Sequence, residues 1–208
     1  MLKTFLAFLC TFLTPLSVIA NESDVQLLVI VADQSNSMGV NHWLVPQRDA
    51  LVEYFSNFEP KCNTLVVVYL GWGGDVNIVR KATIHTRHDA FVFASQLVTP
   101  AVEMNGSTNQ KLAIENAVAI INTYPAPRAM IFTTDEFAFS NSAMGLSQFV
   151  PPLTSVYGIA LGNNSVEAYV RKEIVPSTET TYQVKSPEYL RKTFFNVLNS
   201  VIVNSCIG

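Results

Sequence analysis

Four stretches of the chain are almost continuously apolar. They cover residues 25–32, 64–70, 129–133 and 155–161, and Val, Leu, Ile, Ala and Phe dominate them. None of them alternates regularly between polar and apolar positions, as a half-exposed strand would. We therefore predict four strands buried on both faces, which is typical of a parallel sheet, and a short last strand over residues 180–184.

Segments with helical spacing of apolar residues separate these strands. The predicted helices cover residues 46–57, 88–97, 108–124 and 165–174, and a last helix begins at Pro187. Pro46 and Pro187 suit the first turn of a helix, where a backbone N–H has no partner within the helix. Strands that alternate with helices predict a doubly wound α/β sheet with helices on both faces.

One strand departs from this parallel pattern. A turn rich in glycine, residues 71–75, joins the strand at 64–70 to a partly polar strand at 76–86. Such a short turn connects antiparallel neighbours, and the polar positions favour the edge of the sheet. We therefore predict a mostly parallel sheet with one antiparallel edge strand, which is a Rossmann-like arrangement.

Composition and charge limit the classes of protein. The chain has 208 residues, of which 49% are hydrophobic and 14% charged, and its formal net charge is −3. This length suits one α/β domain, which we place at residues 24–208. Because Lys and Arg form no cluster, we do not expect a nucleic-acid partner.

The first 20 residues have the pattern of a secretory signal peptide. Lys3 is followed by an apolar segment, residues 5–13, and Ala20 suits a cleavage site. No later stretch is long and apolar enough to span a bilayer, so we expect a secreted or periplasmic protein. Cleavage leaves Cys62 and Cys206, and an even pair in an exported chain favours a disulfide; two buried free thiols are the alternative.

Three oxygen-bearing side chains follow the first predicted strand. Asp33 lies at its carboxyl end, and Ser35 and Ser37 follow at alternate positions. Open α/β sheets bind ligands at the carboxyl ends of their strands, and Mg²⁺ prefers oxygen ligands. The alternative for Asp33 is a capping role in the turn.

The spacing Asp-x-Ser-x-Ser after a buried strand resembles the metal-ion-dependent adhesion site of von Willebrand factor A domains. Residues 106–109, Gly-Ser-Thr-Asn, look like the second metal loop of that family, and Thr133-Thr134-Asp135 looks like the third. The resemblance implies that Thr108 and Asp135 join Asp33, Ser35 and Ser37 as ligands of Mg²⁺ or Mn²⁺. It also implies an open coordination position that accepts an acidic side chain of a protein partner.

Two further residues are candidates for partner binding. Trp72 lies in the glycine-rich turn at the same end of the sheet, where it either contacts a partner or covers the sheet edge. Glu136 stands where the family often has glycine. It points to solvent, binds a water on the ion, or occupies the open position.

The favoured hypothesis is a secreted binding domain, not an enzyme. One alternative is a hydrolase that uses the same ion with Glu136 as its base, and the other is a structural subunit of an envelope or surface assembly. No Ser/His/Asp or Cys/His arrangement is visible in the sequence.

Overall fold

A six-stranded sheet lies at the centre of the computed structural model. The structure describes residues 25–60, 64–74, 76–97, 109–125, 127–136, 150, 154–175 and 180–204. The strands are β1 (Val25–Asp33), β2 (Thr64–Trp72), β3 (Val76–Ile84), β4 (Arg128–Thr134), β5 (Thr154–Leu161) and β6 (Thr181–Val184). Their order across the sheet is β3-β2-β1-β4-β5-β6.

The strand directions confirm the predicted sheet. All neighbouring strands run parallel except β2 and β3, which are antiparallel and place β3 at one edge. β1 lies between β2 and β4, and its residues from Leu27 to Ala32 pair with both neighbours. This central position explains why its sequence is apolar without alternation.

Helices cover both faces of the sheet. They are α1 (Asn36–Val40), α2 (Leu44–Ser56), α3 (Arg87–Leu97), α4 (Gln110–Asn122), α5 (Asn164–Tyr169) and α6 (Leu190–Asn204). A π-helical turn, Val170–Ile174, continues α5, and a 3₁₀ turn, Pro187–Tyr189, precedes α6. The short helix α1 was not predicted, because five residues are too few to show a helical period.

The side chains of β1 divide between two apolar cores. Leu28 and Ile30 belong to one core, which α2, α3 and α6 complete. Leu27 and Val29 face the opposite way and belong to the other, which α4, α5 and the π-helical turn complete. Helices therefore pack on both faces of the sheet, as predicted.

Several predictions fall on other parts of the chain. The predicted signal peptide, Thr108, Cys62 and Cys206 all lie outside the described residues. The structure therefore gives no support for a disulfide. Among the helices that it describes, none combines the length and the apolar character that crossing a membrane requires.

Candidate metal centre

The sheet brings the two predicted carboxylates to the same edge. β1 ends at Asp33, and Asp135 follows β4 directly. The two strands are parallel neighbours in which Ala32 pairs with Thr133, so their carboxyl ends lie side by side. Parallel pairing of β1 and β4 therefore places Asp33 and Asp135 where both could bind the same ligand.

Asp33 is a fully buried carboxylate with two short hydrogen bonds. Its Oδ1 accepts the backbone N–H of Ser35 at 2.8 Å, and its Oδ2 accepts the hydroxyl of Thr134 at 2.8 Å. Burial, with a smaller contribution from the negative charge of Asp135, raises the pKa of Asp33 to about 7, although the hydrogen bonds from Ser35 and Thr134 act in the opposite direction. A buried anion of this kind is stabilised by a cation beside it.

Two serines connect Asp33 with Asp135. The Oγ atoms of Ser35 and Ser37 are 2.9 Å apart, and the Ser37 hydroxyl donates to Oδ1 of Asp135 at 2.8 Å. Ser35 is the N-cap of α1, and the turn of α1 directs Ser37 towards β4. The unpredicted helix α1 is thus the element that aims the second serine.

Asp135 is held from a second direction by a residue that the sequence analysis missed. The side-chain amide of Asn41 donates to Oδ2 of Asp135 at 2.9 Å. Asn41 follows Ser37 by four residues, the spacing that places side chains on one side of a helix. Burial raises the pKa of the half-buried Asp135, and the charge of Glu136 adds to this shift, while the two hydrogen bonds lower it.

Gln47 is a second residue that the sequence analysis missed. Its amide Nε2 donates to the backbone carbonyl of Asp33 at 2.8 Å, and its Oε1 accepts the Thr133 hydroxyl at 2.5 Å. Because a carbonyl only accepts, these bonds define which end of the amide carries the nitrogen. Gln47 is buried and holds the ends of β1 and β4 together.

Gln110, at the start of α4, has a comparable role on the other face. Its Nε2 donates to Oγ1 of Thr134 at 3.2 Å and lies 3.4 Å from the carbonyl of Glu136. Its Oε1 accepts the Tyr169 hydroxyl at 2.6 Å. Thr134, which donates to Asp33, is therefore itself held by a buried amide.

Both glutamines leave a signal in the sequence. Gln47 lies four residues before Leu51, and Gln110 lies three residues before Ala113, each on the buried stripe of its helix. A polar residue on an apolar stripe needs buried partners, because an unpaired amide in a core is costly. This pattern could have identified both residues as polar contacts beneath the strand ends.

Trp72 requires a correction. The side chain is completely buried, and its ring stacks on Phe132 with centroids 5.5 Å apart. β2 extends to Trp72, which pairs with Asp33 of β1 and faces the core formed with α4 and α5. The prediction of an exposed contact for a partner is therefore wrong, because the strand continues two residues further than predicted and carries Trp72 inside.

Glu136 and the second loop have different outcomes. Glu136 is half-buried, and its backbone N–H donates to Oγ1 of Thr134 at 3.2 Å; its role towards a partner stays a prediction. Thr108 lies outside the described residues, but the following residue, Asn109, caps α4 by accepting the N–H of Leu112. The backbone N–H of Asn109 also donates to the carbonyl of Gly73 at 2.8 Å, which ties the start of α4 to the end of β2.

The donor set fits a hard divalent cation. Two carboxylates and two hydroxyls converge, and hard cations such as Mg²⁺ prefer such oxygen ligands. Within the described part of the chain, no group of three or more His, Cys, Asp or Glu side chains could hold a metal ion. A metal site at these strand ends would therefore need the hydroxyl oxygens in addition to the two carboxylates.

No model of a known protein family matches the chain, and no curated protein matches its sequence. Among solved structures, proximal thread matrix protein 1 of the mussel byssus superposes with a TM-score of 0.58 at 17% identity, covering 85% of this chain and 47% of that one. A second structure of that protein is described as having a zinc-occupied MIDAS motif, the metal-ion-dependent adhesion site.

Two bacterial pilus proteins are also similar in structure. The adhesin SpaC of Lactobacillus rhamnosus GG has a TM-score of 0.61 at 13% identity, covering 87% of this chain and 31% of that one. The von Willebrand factor domain of the pilus tip protein Mfa5 of Porphyromonas gingivalis has a TM-score of 0.60 at 11% identity, covering 88% of this chain and 97% of that one. The chain thus spans less than half of the mussel protein and about a third of SpaC.

These structures define the class of fold. The chain is a doubly wound α/β protein with a cluster of carboxylates and hydroxyls at the carboxyl ends of its central strands. It has the fold of von Willebrand factor A domains, which confirms the fold that the Asp-x-Ser-x-Ser spacing indicated.

Proposed function

We propose that this protein is a secreted or periplasmic binding domain that holds a divalent cation at the carboxyl ends of β1 and β4. The cation is Mg²⁺ or Mn²⁺, and Asp33, Ser35, Ser37, Asp135 and Thr108 are its proposed ligands. A partner protein supplies a carboxylate to the ion. We propose no catalytic reaction for this site.

One observation carries the proposal. Ser37 joins the hydroxyl of Ser35 to the carboxylate of Asp135, so ligands from two separate strand ends form one connected cluster. Both carboxyl groups have pKa values raised by burial, and the charge of Asp135 raises that of Asp33. Two carboxylates in this position repel each other, and a divalent cation relieves the repulsion.

The kind of partner follows from the charge of such a site. Two carboxylates neutralise one divalent cation, and the serine and threonine hydroxyls add no charge. The ion still presents a positive field towards solvent, which favours an acidic side chain. The similarity to pilus adhesins supports a surface location and a protein partner for this chain.

A calorimetric titration with Mg²⁺ and with Mn²⁺ tests the proposal. We expect the parent protein to bind one equivalent, and Asp135→Asn to weaken binding at least tenfold, because it removes one of two charged ligands while retaining the shape of the side chain. Asp49→Asn is the matched control. Asp49 is an exposed aspartate of α2 whose carboxylate pairs with Arg48.

The control should bind as the parent does. Equal affinities of the parent and Asp135→Asn for both ions would contradict the proposal, as would a parent that binds neither ion. Thermal unfolding of all three proteins, followed by circular dichroism, verifies that the variants are folded.

A further inference from the structure

We propose that Gln110 and Tyr169 are positioning residues that set the cation affinity of this site by directing the hydroxyl proton of Thr134 towards Asp33. The inference rests on the proposed cation site and adds its regulation. Neither residue belongs to the predicted ligand set. Through Tyr169 the site becomes dependent on the junction between α5 and the π-helical turn.

The hydroxyl of Thr134 has two competing acceptors. It donates to Oδ2 of Asp33 at 2.8 Å, and the backbone carbonyl oxygen of Glu136 lies 3.4 Å from Oγ1 of Thr134. A threonine hydroxyl has one proton and rotates to the better acceptor. If the proton turned to Glu136, Oδ2 of Asp33 would lose its donor.

Gln110 resolves this competition. Its Nε2 lies 3.2 Å from Oγ1 of Thr134 and 3.4 Å from the carbonyl oxygen of Glu136. The amide therefore donates one hydrogen bond to a lone pair of the Thr134 hydroxyl and another to the Glu136 carbonyl. The proton of Thr134 is then left for Asp33. The amide of Gln110 therefore acts on the candidate ligand through Thr134 without touching it.

Tyr169 holds the amide of Gln110 in this orientation. Its hydroxyl donates to Oε1 at 2.6 Å, so the opposite end of the amide, Nε2, points at Thr134. Burial raises the pKa of Tyr169 to about 12, and the phenol accordingly keeps its proton near neutral pH. A reversed amide would place an N–H against the Tyr169 hydroxyl and its oxygen against Thr134.

The position of Tyr169 depends in turn on the sheet. Tyr169 is the last residue of α5, and Val170 begins the π-helical turn. Val170 fits against β5 where Gly158 has no side chain; a Cβ at this glycine would lie 2.5 Å from Cγ1 of Val170. π-Helical turns are rare and frequently lie at functional sites. A shift of this turn would move the Tyr169 hydroxyl and alter the cation site.

Calorimetric titration of the intact protein with Mg²⁺ tests the inference. We expect Gln110→Met to weaken binding about tenfold or more, in the range found for residues that orient metal ligands. Tyr169→Phe should have a smaller effect, about threefold to tenfold, because Tyr169 acts only through Gln110. Tyr54→Phe is the matched control. The Tyr54 hydroxyl is part-buried and donates to Oδ1 of Asn199 at 3.1 Å, so the control loses a similar tyrosine–amide bond elsewhere.

A double-mutant cycle identifies the route of the effect. In a Thr134→Val background, adding Tyr169→Phe should change the affinity less than twofold, because the hydroxyl that Tyr169 acts on is already absent. A purely structural role would give the same loss in both backgrounds. In the metal-free protein, the amide proton signal of Ser35, which donates to Asp33, should shift in Tyr169→Phe but not in Tyr54→Phe.

The outcomes separate this inference from the proposed function. A parent that binds no Mg²⁺ or Mn²⁺ overturns both. A parent that binds, together with a Tyr169→Phe variant of equal affinity and an unshifted Ser35 signal, overturns the positioning role alone. Additive losses in the cycle would also overturn it.

Discussion

Asp33 shows how one residue combines an energetic cost with a proposed function. The carboxylate is completely buried, and its two donors, the Ser35 amide and the Thr134 hydroxyl, do not compensate for the loss of water. Burial raises its pKa from 3.8 to about 7. Without a cation, the folded protein therefore favours a protonated Asp33 more strongly than the unfolded chain does.

The pH dependence of stability follows from this shift. The pKa of Asp33 is higher in the folded state than in the unfolded chain. Asp33 should therefore contribute most to the unfolding free energy of the metal-free parent below about pH 4, and this contribution should be lost as the pH rises to about 7. Asp33→Asn, which carries no charge, should not show this loss. At pH 8 we expect its unfolding free energy to exceed that of the metal-free parent by about 1 kcal/mol or more.

Urea unfolding at pH 5 and pH 8 in the presence of a chelator measures this difference. The same variant should bind Mg²⁺ more weakly, so stability and binding change in opposite directions. Asp49→Asn, at an exposed position, should change neither. A variant that is less stable than the parent at pH 8 would show that Asp33 is kept for the fold and not for a cation.

At the scale of elements, helix α5 and its π-helical continuation depend on close contact with β5. Val170 and Val175 both lie against Gly158, where a Cβ would be 2.5 Å from the first and 3.1 Å from the second. Valine is stiff because its Cβ is branched, so it cannot move away by rotating a long side chain. The glycine thus permits the turn to approach the strand.

Gly158→Ala tests this packing. The added methyl group should lower the unfolding free energy by about 1–3 kcal/mol, the usual cost of overpacking a core. Ser155→Ala on the same strand, at an exposed position, is the control and should change it by less than about 0.5 kcal/mol. Chemical unfolding measures both. An unchanged Gly158→Ala variant would mean that the turn adapts without cost.

At the scale of the whole molecule, the candidate site borders the two apolar cores that stabilise the fold. Buried apolar side chains form the two cores on either face of the sheet, whereas the site lies at the carboxyl ends of the strands. Strand pairing and core packing hold β1 and β4 in register without a cation. The fold should therefore persist when the ion is removed.

Chelation distinguishes a binding role from a structural one. With Mg²⁺ at ten times its Kd, the ion should contribute about 1.4 kcal/mol, so a chelator should lower the melting temperature by only about 3–6 °C. Capture of a partner from the native surroundings should be lost completely under the same conditions. Loss of the circular dichroism spectrum of the fold on chelation would instead favour the structural-subunit alternative.

Local patterns were sufficient to predict much of this molecule. Unbroken apolar runs identified the central strands, since a strand buried on both faces has no reason to alternate. The alternate spacing of Asp33, Ser35 and Ser37 after such a run indicated the candidate site, and Asp135 followed from the resemblance to a known family. Cys62, Cys206 and Thr108 lie outside the described residues, so the predictions made for them stay predictions.

Long-range contacts decided the rest. Trp72 is buried because β2 extends alongside β1 to Asp33, and no property of the glycine-rich turn indicates how far a strand pairs. Gln47 and Gln110 act at the site through residues 86 and 24 positions away in the chain. The order of apolar and polar residues along the chain is enough to specify the central strands, the longer helices and the carboxylates at strand ends. Which polar atoms meet depends on strand register and helix packing, because hydrogen bonds form over about 3 Å and small displacements break them.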